Sequence, residues 1–373
     1  MRKSIVIIFL ICTSCLSGSA ETLNENRDSL QQDEQNFFQR LNKKLDVILR
    51  SFSEKDTNYI EPQKYDFTVM AQHTQVYQYT KVTADNGHTL TLSPDVVFKI
   101  GPYFGWKWLF LGYTLDVKNL FKSSEGTYID LSFYSNQVGL DFYYIDNGSN
   151  FKIRHFDIGN DIDTSPLNGL PMEGLSERSR GFNVYYILNH HKFSYPAAFS
   201  QSTRQKRSAA SAMAGVGYSH HTFKISYDKF IEQVTDNVPE LNESIGRSFF
   251  GGDEINGVDY RSFTVSGGWG YNHVFTPCLL AGGSLMGGVS YNVTESEYRS
   301  GFYNVMKNIS IMNVSLDFTV RLGLVYNTSK WFTGFSAIMH NYNYKTKYFR
   351  TNNFYGTLNI YGGLYFNINK KKK

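Results

Sequence analysis

From about Phe67 onward, apolar and polar positions alternate with a period of two, the signature of strands that bury one face and wet the other. The longest run is Ser310 to Tyr326. Met312, Val314, Leu316, Phe318, Val320, Leu322, Leu324 and Tyr326 share one face, and Asn313, Ser315, Asp317, Thr319 and Arg321 share the other. Phe354 to Ile368 repeats this, with Leu358, Ile360, Leu364 and Phe366 opposite Thr357, Asn359 and Asn367. Such runs exceed the ~5–6 residues of an ordinary soluble strand and suit a tilted membrane strand of ~9–11. Twelve segments are expected, beginning near Phe67, His88, Tyr103, Thr127, Asn150, Arg178, Ser211, Arg261, Leu279, Ile309, Trp331 and Phe354.

The spacing of these segments predicts connections that alternate between short and long. Short ones are read at Gly101-Pro102, Asn147-Gly148, Val274 to Cys278 and Asn327 to Ser329. Long ones are read at Asp157 to Glu177, Lys229 to Tyr260 and Thr294 to Asn308. One stretch breaks the rule: Lys192 to Lys206 should be a short turn, so it either folds inward or marks an error in the strand count. In hydrocarbon every backbone N–H and C=O needs an internal partner, so a spanning sheet must close on itself. The expected fold is all-β: a closed antiparallel transmembrane β-barrel of about twelve strands. A short N-terminal amphipathic helix over Phe37–Phe52 is expected to precede it, with Phe38, Leu41, Leu45, Ile48, Leu49 and Phe52 on one side.

Composition narrows the class. The 373 residues include 27 Tyr, 29 Phe, 31 Gly and only 8 Pro, a strand-rich profile that also excludes disorder. Formal charge is +4, too even for a nucleic-acid binder. Arg2 and Lys3, the apolar run Ile5 to Cys12 and the small residues Gly18-Ser19-Ala20 read as an export signal over residues 1–20. A lipoprotein reading with Cys15 as the modified residue stands beside it. A polar, helical periplasmic segment (21–60), a barrel (61–369) and a basic tail (370–373) complete the expected organisation. The three cysteines are Cys12, Cys15 and Cys278. Cleavage leaves one thiol, hence no internal disulfide and no thiol metal site.

Three stretches carry a family likeness: Asp56 to Ile60 (DTNYI), Gly101 to Asp116 (GPYFGWKWLFLGYTLD) and Lys192 to Gly215 (KFSYPAAFSQSTRQKRSAASAMAG). From about Asp56 to Asn369 the chain resembles the domain-of-unknown-function 4421 family of Bacteroidetes. That resemblance implies an outer-membrane-type β-barrel and no assigned activity. The chain departs from the common terminal aromatic of such barrels: Phe366 is followed by Asn-Ile-Asn and four lysines.

The chemistry in the sequence is sparse. Asn313, Ser315, Asp317, Thr319 and Arg321 are the lumen-facing binding candidates. No catalytic residue, metal ligand or cofactor is assigned. Ser219 and His221 share a strand face and are the one nucleophile-and-base pairing, without a Gly-x-Ser-x-Gly elbow. Arg204, Lys206 and Arg207 form a small basic run that could touch lipid phosphate or sugar-acid groups. The expected setting is the outer membrane, as a monomer, with outer-membrane lipid, lipopolysaccharide and the barrel-assembly machinery as partners and no nucleic acid. The expected role is structural or a narrow pore, with a lumen filled by side chains. A phospholipase-like lipid-processing barrel enzyme and a soluble periplasmic ligand-binding β-barrel are the alternatives.

Overall fold

The computed structural model describes residues 55–106, 109–112, 115–116, 126–148, 150–159, 162–241, 257–294, 313–345 and 349–367. The Phe37–Phe52 helix, the export signal, the basic tail and the Thr294–Asn308 loop interior lie outside the described residues. So do Cys12 and Cys15.

One antiparallel sheet dominates. Its long strands are β2 (Phe67–Ala84), β4 (Val97–Trp106), β7 (Thr127–Tyr134), β8 (Val138–Gly148), β10 (Leu175–Ile187) and β12 (Ala209–Ile225). They continue with β13 (Gly257–Val274), β14 (Leu279–Thr294), β15 (Val314–Asn327), β16 (Trp331–Lys345) and β17 (Phe349–Phe366). The short β5 (Leu109–Gly112) and β6 (Leu115–Asp116) together pair with β4. The path β5-β4-β2-β17-β16-β15-β14-β13-β12-β10-β8-β7 holds twelve strands. The first long strand pairs with the last along an unbroken register from Phe67↔Phe366 to Ala84↔Phe349. The ends of the path approach each other too, since Lys99 of β4 donates from Nζ to the carbonyl of Tyr128 on β7 at 2.8 Å.

The face pattern follows the alternation. On β15, Leu316 is 69% exposed while Arg321, five residues on and so on the opposite face, is 2% exposed. Outward apolar side chains continue around the sheet: Val216, Val265, Leu285, Val289, Leu322, Ile360 and Leu364 are all exposed. Val293, near the loop-rim end of β14, is buried. From Val314 to Tyr326 the strand runs about 40 Å, which at a ~45° tilt rises about 28 Å, close to a hydrocarbon core. Phe104, Tyr186, Trp269, Tyr271, Tyr326 and Trp331 gather outside the sheet toward one rim, the placement of an aromatic girdle. Val265, mid-strand and 68% exposed, gives a direct test. Val265→Lys should cost about 2–4 kcal/mol in denaturant unfolding from liposomes. An unchanged midpoint would mean that this face does not meet lipid.

Three sequence expectations need correction. Gly101-Pro102 is no turn; it lies inside β4, with Pro102 opposite Ala71. A strand N–H points to only one neighbour, so a proline is tolerated where that neighbour is not needed. Asn147-Gly148 is no hairpin either. The turn is Ser135 to Gln137, where Ser135 Oγ accepts from the amide of Val138 at 2.8 Å and so substitutes for a glycine signal. The strand expected from Asn150 is β9 (Lys152–Asp157), which leaves the barrel path and pairs with β3 (Thr89–Ser93).

The two rims differ. At the loop rim, β3, β9 and α2 (Tyr227–Asn237) cover an apolar cluster of Val82, Leu90, Phe151, Phe156, Leu175 and Phe230. At the turn rim, the stretch that broke the length rule folds inward. Its helix α1 (Tyr195–Phe199) has Tyr195, Pro196, Ala197 and Ala198 buried. Glycines on β14 and β15 open the groove it occupies. A Cβ on Gly282 would lie 2.5 Å from the Ala198 side chain, and one on Gly323 would lie 3.0 Å from the Ala198 carbonyl oxygen.

Candidate functional site

The inner face of the sheet is crossed by side chains at three levels, and that interior is the candidate site. Nearest the loop rim, Glu177 of β10 is a hub. Its Oε2 accepts from Gln78 of β2 at 2.6 Å, and its Oε1 accepts from Tyr342 of β16 at 3.2 Å. Asn147 of β8 donates to Gln78 at 2.7 Å. Strands far apart in the path therefore meet across the lumen. His221 of β12 stacks between Tyr260 and Tyr342 at 4.9 and 4.6 Å. Its Nδ1 lies 2.9 Å from Ser179 Oγ and its Nε2 lies 2.9 Å from Ser219 Oγ.

In the middle, Arg321 of β15 forms an ion pair with Asp141 of β8, both almost fully buried. The guanidinium also sits 5.4 Å from the Tyr185 ring. Nε and Nη1 of Arg321 make no hydrogen bond. A buried charge pair is tolerated only when each member holds the other, so this contact ties two facing walls of the barrel together.

At the turn rim the inward segment fills the lumen. Tyr195 Oη lies 2.8 Å from Ser284 Oγ of β14. Asn272 of β13 donates to the Ser194 carbonyl at 2.7 Å, and Tyr365 of β17 donates to the Gln201 carbonyl at 2.9 Å. The segment is fastened from outside the sheet. Its strand β11 (Thr203–Gln205) pairs with β1 (Ile60–Pro62), and Glu61 forms an ion pair with Arg204. Lys192 and Arg207 flank the Tyr59 ring at 5.3 and 5.8 Å. The basic run of the sequence is thus largely engaged in this clasp. Burial pushes the Glu61 carboxyl up, but hydrogen bonds and charge from Lys64 and Arg204 outweigh it and hold it below the usual value. Its contribution is therefore present at neutral pH and is lost as pH falls through that lowered value. Glu61→Ala should make trypsin cut at Arg204, Lys206 and Arg207 several-fold faster, read by mass spectrometry. Cleavage at the wild-type rate would show that β1 does not fasten the segment.

Of the sequence candidates, Asp317 accepts from Ser290 and from the Asn343 amide, Ser315 accepts from Asn292 at 3.0 Å, and Thr319 Oγ1 lies 3.1 Å from His340 Nδ1. Arg321 reaches across to Asp141, whereas Asn313 lies half-buried just before β15 and joins none of these bonds. They form neighbouring pairs along the wall rather than one pocket. Sequence reasoning missed Glu177, Asp141 and Tyr342, whose partners lie up to 180 residues away and leave no local signal. Among the described residues no group of three His, Cys, Asp or Glu could hold a metal.

Solved structures with similar chain paths include the outer membrane protease OmpT from Escherichia coli. It shares 10% identity and a TM-score of 0.35, covering 82% of this chain and 97% of that one. The toluene transporter TodX of P. putida gives 7% and 0.25, over 84% and 94%. The translocator domain of autotransporter NalP from Neisseria meningitidis gives 11% and 0.30, over 93% and 100%. No curated protein matches the chain. The sequence matches the family described as "Domain of unknown function (DUF4421)" over residues 54–366. With most of its length matched, including every strand of the sheet, the chain is a member of the DUF4421 family.

Proposed function

We propose that this protein is an outer-membrane β-barrel with a sealed lumen, serving a structural or gated narrow-pore role rather than open diffusion. The supporting observation is the filling of the interior: the Glu177 hub, the Arg321–Asp141 pair and the inward segment stack across one lumen. Closure between Leu109–Asp116 and β7 is part of the proposal. It follows from the demand that a lipid-exposed sheet leave no edge unpaired. The turn rim, where both ends of the sheet lie, would face the periplasm, and the loop rim would face outward. A soluble ligand-binding barrel is disfavoured by the outward apolar face, which no second layer covers among the described residues. Planar-bilayer recording of the purified full chain tests the reading. A silent bilayer supports it, and a large steady conductance contradicts it.

The Ser219–His221 contact favours a second reading, a lipid-processing enzyme. Both residues lie on the lumen face, away from lipid, and His221 is buried between tyrosine rings, which is poor access for an acyl ester. Phospholipid turnover by the purified protein that is abolished in Ser219→Ala would establish this reading. Turnover that is absent or survives would remove it.

A further inference from the structure

Between the Glu177 layer and the inward segment lies a cavity of about 170 Å³, bounded by β2, β4, β7, β16, β17 and residues 199–201. A cavity of ~150 Å³ accommodates one six-membered ring, so this volume takes a single ring and its substituents. Its walls are chemically unlike. One carries a row already locked in place: Gln72 donates to Thr74 and to Asn359 at 2.9 Å, and Asn359 donates to Ser336 at 3.2 Å. Opposite, Asp130 of β7 is open to the cavity and makes no hydrogen bond or ion pair among the described residues. Gln201, 1% exposed, is held at the turn-rim end by its Nε2, which donates to Tyr361 Oη at 3.2 Å. Tyr103, Tyr128 and Tyr355 supply aromatic surface.

A carboxylate open to the cavity and free of protein donors suits a ligand that brings O–H or N–H groups. Charge then narrows the class. Lys99 lines the same cavity as Asp130, so a cation meets one like charge and an anion meets the other. A neutral hydroxyl-rich ring meets neither, and its hydroxyls both donate and accept, which suits a carboxylate facing an amide row. Its C–H faces match the tyrosine rings. We propose that this cavity is a binding site for one neutral sugar-like ring, with Asp130 accepting ring hydroxyls and residues 199–201 of the inward segment closing it from the turn rim.

The test is saturation-transfer NMR on the full chain, folded in a detergent without a sugar headgroup. D-glucose, choline and L-alanine serve as probes, each at roughly millimolar concentration. Transfer to D-glucose protons is expected, weakened about tenfold or more in affinity by Asp130→Asn. Val216→Ala, on the outward face, should retain binding, and heat-modifiable gel migration confirms that each variant is folded. Three results overturn the proposal: no transfer to D-glucose, transfer to choline or L-alanine instead, or a D-glucose signal unchanged in folded Asp130→Asn. Because binding is read in solution, it stands or falls separately from conductance.

Discussion

Arg321→Ala lowers the unfolding free energy by about 3–5 kcal/mol in a denaturant titration from liposomes. Both partners are almost fully buried, and Asp141 also accepts from Ser132 at 2.8 Å and Tyr134 at 3.2 Å. Removing the guanidinium leaves a carboxylate held by neutral donors in the barrel interior. The large effect comes from that orphaned charge rather than from the net worth of the pair, because two nitrogens of Arg321, Nε and Nη1, already lack acceptors. The double variant Arg321→Met, Asp141→Leu should therefore recover most of the loss. A single variant as stable as wild type would mean that the pair does not bridge the lumen.

The second large effect concerns conductance. The inward segment, the Arg321–Asp141 layer and the Glu177 layer obstruct the lumen in series, so opening any one alone should leave the bilayer silent. Replacing residues 193–206 by a short turn removes the first obstruction. Adding Arg321→Ala with Asp141→Ala, and Glu177→Ala, removes the other two without stranding a charge. Only the combined variant is expected to show discrete current steps, in bilayer recordings of protein whose heat-modifiable migration confirms folding. Steps from the turn replacement alone would show that the side-chain layers do not seal. Silence in the combined variant would place the barrier at the apolar cap of the loop rim.

What could be read from the chain is what repeats locally. The alternation over Met312–Tyr326 marks the outward face of β15, because a strand's faces are set by parity and need no knowledge of its partners. The total of twelve was legible, but not strand for strand: the segments read from His88 and Asn150 are β3 and β9, off the twelve-strand path, while β8 was not read as a strand of its own, because two boundaries rested on false turn signals. Gly101-Pro102 and Asn147-Gly148 carry turn residues inside strands, while Ser135 to Gln137 turns without glycine by side-chain capping. The excess length of Lys192–Lys206 exposed the inward fold, since a short turn cannot accommodate fifteen residues outside a rim. The interior was not legible. Glu177 with Gln78, and Asp141 with Arg321, are pairs chosen by the curl of the whole sheet, and nothing in their neighbours' identities announces them.

The central claim is that alternate residues of the sheet meet lipid. A nitroxide placed in turn at Phe263, Val265 and Trp269, in a Cys278→Ser background reconstituted in liposomes, reads it through relaxation by oxygen, which dissolves in lipid, and by a water-soluble nickel chelate. Strong relaxation by oxygen and little by the chelate is expected at all three positions, most pronounced at Val265. Access to the chelate there, or to neither reagent, would contradict it.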